Sequence, residues 1–166
     1  LNDIVAEDDV SFFVSATDTN TIYRITNDFV PAIFKLDIAG ELKGPNGLHY
    51  DAESKMLYVA GWGTDGENNG ELGVIDMNTQ PYQYTRLGKH NGHLDGLAKS
   101  GDKLIFSDWI DFEKSGQLFS YDLTTQETVQ LTTSPIGGPA DFTLSPDGKN
   151  ILVPAMLDNK IETFAQ

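Results

Sequence analysis

The chain contains no cysteine, which excludes disulfides and thiolate metal sites and leaves the redox compartment open. Positive charge is scarce. Eleven lysines and arginines stand against 25 aspartates and glutamates, a formal net charge of −14. That balance argues against nucleic acid or an anionic membrane as a partner held by bulk electrostatics. It gives a solvated acidic surface that also attracts cations. No apolar run approaches the length of a membrane span, and no signal-peptide pattern is present. Nor is there an amphipathic helix, a linker, a low-complexity segment, or a GxSxG, HExxH or P-loop motif. The compartment stays open, with a secreted or periplasmic setting favoured. The chain starts with Leu inside a motif, so the expectation is a mature or trimmed N-terminus, or a fragment of something longer.

What is present is a repeat. Leu1-Asn2-Asp3-Ile4, Pro45-Asn46-Gly47-Leu48, Leu94-Asp95-Gly96-Leu97 and Pro139-Ala140-Asp141-Phe142 each place Asn or Asp just before an apolar residue. The anchors 2, 46, 95 and 141 lie 44, 49 and 46 residues apart. A period of that size, with several strands per unit, is the signature of a radial β-array. After each anchor comes a polar turn, for example Asp51 to Lys55 or Ser145-Pro146-Asp147-Gly148. Then follows an apolar, β-branched or aromatic run: Phe12-Phe13-Val14, Met56 to Val59, Leu104-Ile105-Phe106, Ile151-Leu152-Val153. Bounded by turn residues, such runs read as strands. A third strand alternates, as in Thr21 to Ile25 and Gln117 to Asp122. The first three units add a more polar fourth strand such as Glu127 to Leu131, as expected of an outer edge. The fourth unit stops after its third strand.

The expected fold class is all-β: a β-propeller with about four blades visible, in units of about 1–43, 44–92, 93–137 and 138–166, forming one domain. It is either part of a six-bladed-type propeller or a shortened one completed by oligomerisation.

At the anchors the chain resembles the senescence-marker-protein-30/gluconolactonase family. Those proteins are six-bladed propellers, in a broad class that includes calcium-dependent lactonases and phosphotriesterases. The resemblance covers essentially all of this chain but only about the C-terminal two-thirds of a six-bladed fold. Asn2, Asn46 and Asp95 look like three of the family's calcium ligands, in matching order and spacing. Asp141 matches a blade start that is not usually a ligand. The family's remaining ligand, a Glu near the start of the first blade, has no counterpart here. Leu1 begins where a third blade would begin, so the resemblance implies two blades upstream or a shortened relative that assembles differently.

Ca2+, or another divalent cation, takes amide and carboxylate oxygens of this kind. It polarises a lactone carbonyl or phosphoryl oxygen and orients water. The resemblance implies that Asp95 is both ligand and base or nucleophile. The structural alternative is that Asn and Asp at strand starts tie down turns through backbone hydrogen bonds, the reading favoured for Asp141. His93, two residues before Asp95, reads either as a proton shuttle at the channel mouth or as a solvated loop histidine. Trp62 and Trp109 fall at equivalent places, where they form a stacking wall for a ligand or pack between blades. Asp108 on the same strand end is a further pocket candidate.

Two other motifs are rejected. Gly61 to Gly66 fits GxGxxG, but a polar loop and a strand follow in place of a helix. Residues 65–76 fit an EF-hand loop only loosely, without its helices or its final Glu.

The first functional expectation is therefore a calcium-dependent hydrolase of a lactone or related ester. The second is a non-catalytic propeller that binds a small ligand or a protein through its channel face. The third is a homo-oligomer formed through open blade edges.

Overall fold

A computed structural model describes all residues, 1–166. It is an all-β structure in which four antiparallel sheets follow one another along the chain. The first sheet contains β1 (Ile4–Ala6), β2 (Ser11–Ala16), β3 (Thr21–Thr26) and β4 (Ala32–Lys35). The second contains β6 (Pro45–Asp51), β7 (Met56–Gly61), β8 (Gly70–Asp76) and β9 (Tyr82–Gly92). A short strand from the connecting segment, β5 (Ile38–Ala39), pairs in parallel with β9 and adds a fifth member to that sheet. The third sheet contains β10 (Leu94–Ser100), β11 (Lys103–Asp108), β12 (Gln117–Asp122) and β13 (Thr128–Gln130). The last contains β14 (Thr143–Leu144), β15 (Asn150–Ala155) and β16 (Lys160–Ala165). Apart from β5, the strands within each sheet lie in chain order, the meander of a propeller blade. The only helical turns are two three-residue 3-10 segments, Thr17–Thr19 and Met156–Asp158.

Local chemistry sets the strand ends. Asp51 Oδ1 accepts from the amides of Glu53 and Ser54, and Asp122 Oδ1 accepts from those of Thr124 and Thr125. Such Asx turns reverse the chain without help from the core. Gly101 and Gly148, at φ +58° and +70°, close the equivalent turns of the third and fourth blades. The outer strand β13 is wholly exposed, as its polar sequence foretells.

The hydrophobic core lies between the sheets, in three separate layers. Phe13 and Ile22 of the first sheet pack on Leu48, Leu57, Val59 and Ile75 of the second. Tyr58, Ala60 and Leu72 of the second pack on Leu94, Leu104, Phe106 and Phe119 of the third. Ile105 and Leu118 of the third pack on Phe142, Ile151 and Val153 of the fourth. The second strands of the middle two blades, β7 and β11, therefore feed two cores, one from each side of the pleat.

Phe106 is wholly buried and stacks on Phe119 at 5.6 Å between ring centroids. Phe106→Ala removes the centre of the middle layer. The expected loss of unfolding free energy is about 3–5 kcal/mol, read as a lower urea midpoint with little change in slope.

Candidate functional site

The first strands of the blades begin, and the second strands end, at one end of the stack. A pocket of about 470 Å³ opens there, lined by residues from all four blades. Asn2, Asn46, Asp95 and Ala140 are contributed by the starts of the first strands. Thr17, Trp62, Trp109 and Met156 come from the positions just after the second strands. These are two sets of equivalent positions, one residue from each blade in each set.

The hydrogen bonds establish the register. The Asp3 amide donates to Ser15 Oγ at 2.9 Å, and the Gly96 amide donates to Ser107 Oγ at 2.8 Å. Each serine hydroxyl then donates to the next blade, to the carbonyls of Asn46 at 2.7 Å and Ala140 at 3.4 Å. Ala140 is thus the counterpart of Asn46. Asp141 is not the fourth anchor; it stands one residue later, in register with Asp3, Gly47 and Gly96. Gly47 and Gly96 are close-approach positions. A Cβ on Gly47 would lie 2.1 Å from the Asp95 carbonyl oxygen, and one on Gly96 would lie 2.6 Å from the Phe142 ring. In the end blades aspartates fill that register. Asp3 accepts from the amides of Leu48 and Ile4, both at 2.6 Å, and Asp141 accepts from the amide of Phe142 at 2.9 Å.

Of the sequence candidates, Asn2, Asn46, Asp95, Trp62, Trp109 and Asp141 all line the pocket. His93 and Asp108 do not. Asp108 ends β11 and immediately precedes Trp109, and its side chain turns away from the pocket. There its carboxylate is buried, accepting from His90 Nε2 at 2.7 Å and from the amides of His93 and Ile110 at 3.0 and 2.8 Å. Gly92 must be glycine beside it, because a Cβ would lie 2.1 Å from Asp108 Oδ2. His93 is buried behind Trp62, its ring 5.1 Å from the indole. Its Nδ1 lies 2.9 Å from the Trp62 carbonyl oxygen, which only accepts, so Nδ1 carries a proton. The solvated-loop reading of His93 is therefore incorrect, because the side chain is enclosed by Trp62 and Phe112.

Three polar groups come together in the pocket. Asn46 is 3% exposed, and its Oδ1 is a buried acceptor with no hydrogen-bond partner. Asp95 Oδ2 accepts from Trp109 Nε1 at 2.9 Å. Asn2 Nδ2 donates to Thr17 Oγ1 at 3.4 Å. Burial lifts the Asp95 carboxyl to about 6 against the Trp109 hydrogen bond, and the charges of Asp141 and Asp3 add to the rise. Asp141 is also raised to about 6, by protein around it and by Asp3. Asp3 is raised by burial, against the two amides that it accepts from. Nowhere do three histidine or acidic side chains converge as a metal cluster. The donor set is instead one carboxylate with two amides.

Sequence reasoning missed Thr17, Asp18, Leu1, Ala140 and Met156 as lining residues. The alignment of Trp62 with Trp109, extended to all blades, points to Thr17 and Met156. Phe112 was also missed. It is 65% exposed and packs on Trp62, Trp109 and His93, with ring centroids 5.4–6.4 Å apart. Its loop begins at Ile110, a β-branched residue at φ +64° that the Asp108 carboxylate holds in this strained conformation.

No family model and no curated protein sequence matches the chain. Solved structures do match in fold. The periplasmic gluconolactonase of Pseudomonas aeruginosa superposes with a TM-score of 0.71 at 15% identity, over 97% of this chain and 52% of that one. A gluconolactonase of Xanthomonas campestris gives 0.58 at 18% identity, over 80% and 40%. The WD40 β-propeller domain of Doa1 gives 0.64 at 16%, over 99% and 51%. The chain is a β-propeller by fold, and it spans about half the length of the propellers that it matches.

The raised carboxyls predict a pH dependence. A carboxyl whose folded pKa exceeds its unfolded value favours folding below the unfolded value and loses that contribution as pH rises through the folded one. The metal-free protein should therefore lose stability from Asp95 and Asp141 as pH climbs from about 4 through 6. His49, lowered by burial, works the other way, so the comparison must be between variants. Urea midpoints measured from pH 4.5 to 7.5 should fall less steeply with pH for Asp95→Asn than for the wild type. Parallel profiles would contradict the assignment.

Proposed function

We propose that this pocket holds a divalent cation, calcium by its oxygen donors, and hydrolyses a lactone or related ester. The observation that carries the reading is Asn46 Oδ1. A buried acceptor without a donor costs about 1–3 kcal/mol, and a cation removes that cost. The donor chemistry fits: the amide oxygens of Asn2 and Asn46 and the carboxylate of Asp95 are hard ligands, to be completed by water to about six to eight oxygens. A second carboxylate in the pocket, Asp141, adds negative potential. Bound calcium would supply polarisation of the ester carbonyl.

The chain's own residues supply the rest. Trp109 Nε1 holds one oxygen of Asp95 and so fixes the carboxylate's rotamer. In the metal-free protein burial raises the Asp95 carboxyl to about 6, so that it is ionised at neutral pH and able to accept a proton. A water that gives its proton to Asp95 adds to the carbonyl carbon. The ring C–O bond then breaks and the alkoxide leaving group takes that proton back from Asp95, giving a hydroxy acid and restoring the carboxylate. Trp62, Trp109 and Met156 cover the apolar face of the substrate. The gluconolactonases among the fold relatives support this reading at low identity. The periplasmic one also supports a periplasmic or secreted setting, and no helix here is long and apolar enough to cross a membrane.

A second reading rests on Phe112. A large exposed aromatic beside an open pocket suits ligand or protein capture without chemistry, and propellers host many functions. Hydrolysis separates the two.

Calorimetric titration with calcium should show binding to the wild type that weakens about tenfold or more in Asn46→Ala, by analogy with losses seen when metal-site partners are removed. A panel of lactones followed by pH-stat should show chelator-sensitive hydrolysis. Asp95→Asn should lower kcat by roughly 10²–10⁴-fold, the usual contribution of a general base. Cation binding without hydrolysis would favour the binding module; neither would sink both the site and its chemistry.

A further inference from the structure

The strand β9 does not run evenly beside β8. Gly73 pairs with Arg86 and Glu71 with Asn91, so Leu87, Gly88, Lys89 and His90 stand opposite Leu72 alone. Extra residues of this kind bend a strand and re-aim its side chains. Here the bulge leans on the third blade. A Cβ on Gly88, at φ +65°, would lie 3.0 Å from the Tyr121 ring and 3.5 Å from Thr128 Oγ1. The His90 ring packs 4.4 Å from that of Phe119, and its Nε2 is held by the buried Asp108. Arg86 Nη2 closes the bulge, donating to the His90 carbonyl at 3.2 Å and to Asn91 Oδ1 at 2.8 Å.

A cleft of about 780 Å³ opens between this bulge and the outer part of the third blade. Arg86, Lys89 and His90 line one side, and Gln126, Thr128 and Gln130 line the other. No acidic residue lines it, in a chain with 25 acidic residues against 11 lysines and arginines. The acidic groups nearby do not cancel the basic ones. Glu71 is shared by Arg86 at 3.4 Å and Lys43 at 3.3 Å, one carboxylate for two cations. Asp108 is 1% exposed and lies behind His90. Lys89 is exposed and enters none of the chain's ion pairs. Both walls belong to the two middle blades, each packed on a sheet of this chain on either side.

We infer that this cleft binds an anionic carbohydrate, a sugar carrying a carboxylate or a phosphate. Lys89 and Arg86 take the charged group through charge-assisted hydrogen bonds. The Gln126 amide and the Thr128 hydroxyl both donate and accept, as sugar hydroxyls do. Gln130 offers its amide oxygen, since its nitrogen is held by the Thr132 carbonyl at 2.6 Å. Phe119 is the one hydrophobic residue of the lining, too little for a mostly apolar ligand. No residue lines both this cleft and the pocket of Asn46 and Asp95, so the inference does not depend on the cation site or on hydrolysis.

Two-dimensional NMR of the nitrogen-labelled, metal-free protein tests it. Glucuronate and glucose 6-phosphate are the anionic probes, and glucose is the uncharged control. At least one anion should shift the amides of Gly88, Lys89 and Thr128 saturably, and glucose should not. A preference between the two anions identifies the charged group. Lys89→Glu should weaken binding about tenfold or more, the loss of one charged hydrogen bond. Lys149→Glu makes the same change in net charge at an exposed site in the fourth blade. It should leave the affinity within about twofold, because salt screens a distant surface charge. The spectra themselves show that each variant keeps its fold. Equal weakening by both variants would reduce the effect to bulk charge and overturn the inference. So would shifts confined to the Trp62 and Trp109 indoles, glucose binding as tight as that of the anions, or no saturable shift at all.

Discussion

The second strand of every blade is apolar on both sides of its pleat, and the architecture follows from that constraint. Such a strand cannot lie at a surface without exposing one apolar row. Leu57 and Tyr58 are neighbours in sequence, yet they belong to different cores, one shared with the first blade and the other with the third. Stacking sheets face to face satisfies both rows, and the twist of each sheet makes the stack curve. The outer strand β13 is polar and exposed, and Asx turns at Asp51 and Asp122 reverse the chain between strands.

That stacking also creates the site. Equivalent residues of successive blades come to one axis because the blades share a register, held in part by hydroxyls that bridge them. Ser15 and Ser107 each take an amide proton from their own blade and donate to the next blade's anchor carbonyl. Glycine at 47 and 96 lets the first strands approach closely enough for this. Burial is the cost: it raises the carboxyls of Asp3, Asp95 and Asp141, with neighbouring carboxylates adding to the rise at Asp95 and Asp141, while Asn46 is buried with an oxygen left unpartnered. A cation bound there would relieve both effects.

Side-chain direction at the end of β11 decided which candidates reach the pocket. Trp109 enters it, and Asp108, which ends the strand, turns away from it. The buried Asp108 serves the site from behind. It ties together His90, His93 and the strained turn at Ile110, from which Phe112 reaches the aromatic rim.

The blade repeat, the strand positions and the turns were legible in the sequence because they depend on local patterns: alternation, turn residues and a period near 46. Asn2, Asn46 and Asp95 were legible as equivalent positions for the same reason. The fourth anchor was not. Asn or Asp before an apolar residue marks both Asp95 and Asp141, and only the hydrogen bonds between blades show that Ala140 is the counterpart of Asn46. Nor could the sequence tell that His93 lies behind Trp62, or that Asn46 Oδ1 lacks a donor. Those facts arise where neighbouring blades meet. Local sequence determined the blades, and the register between blades, a long-range property of packed surfaces, determined the site.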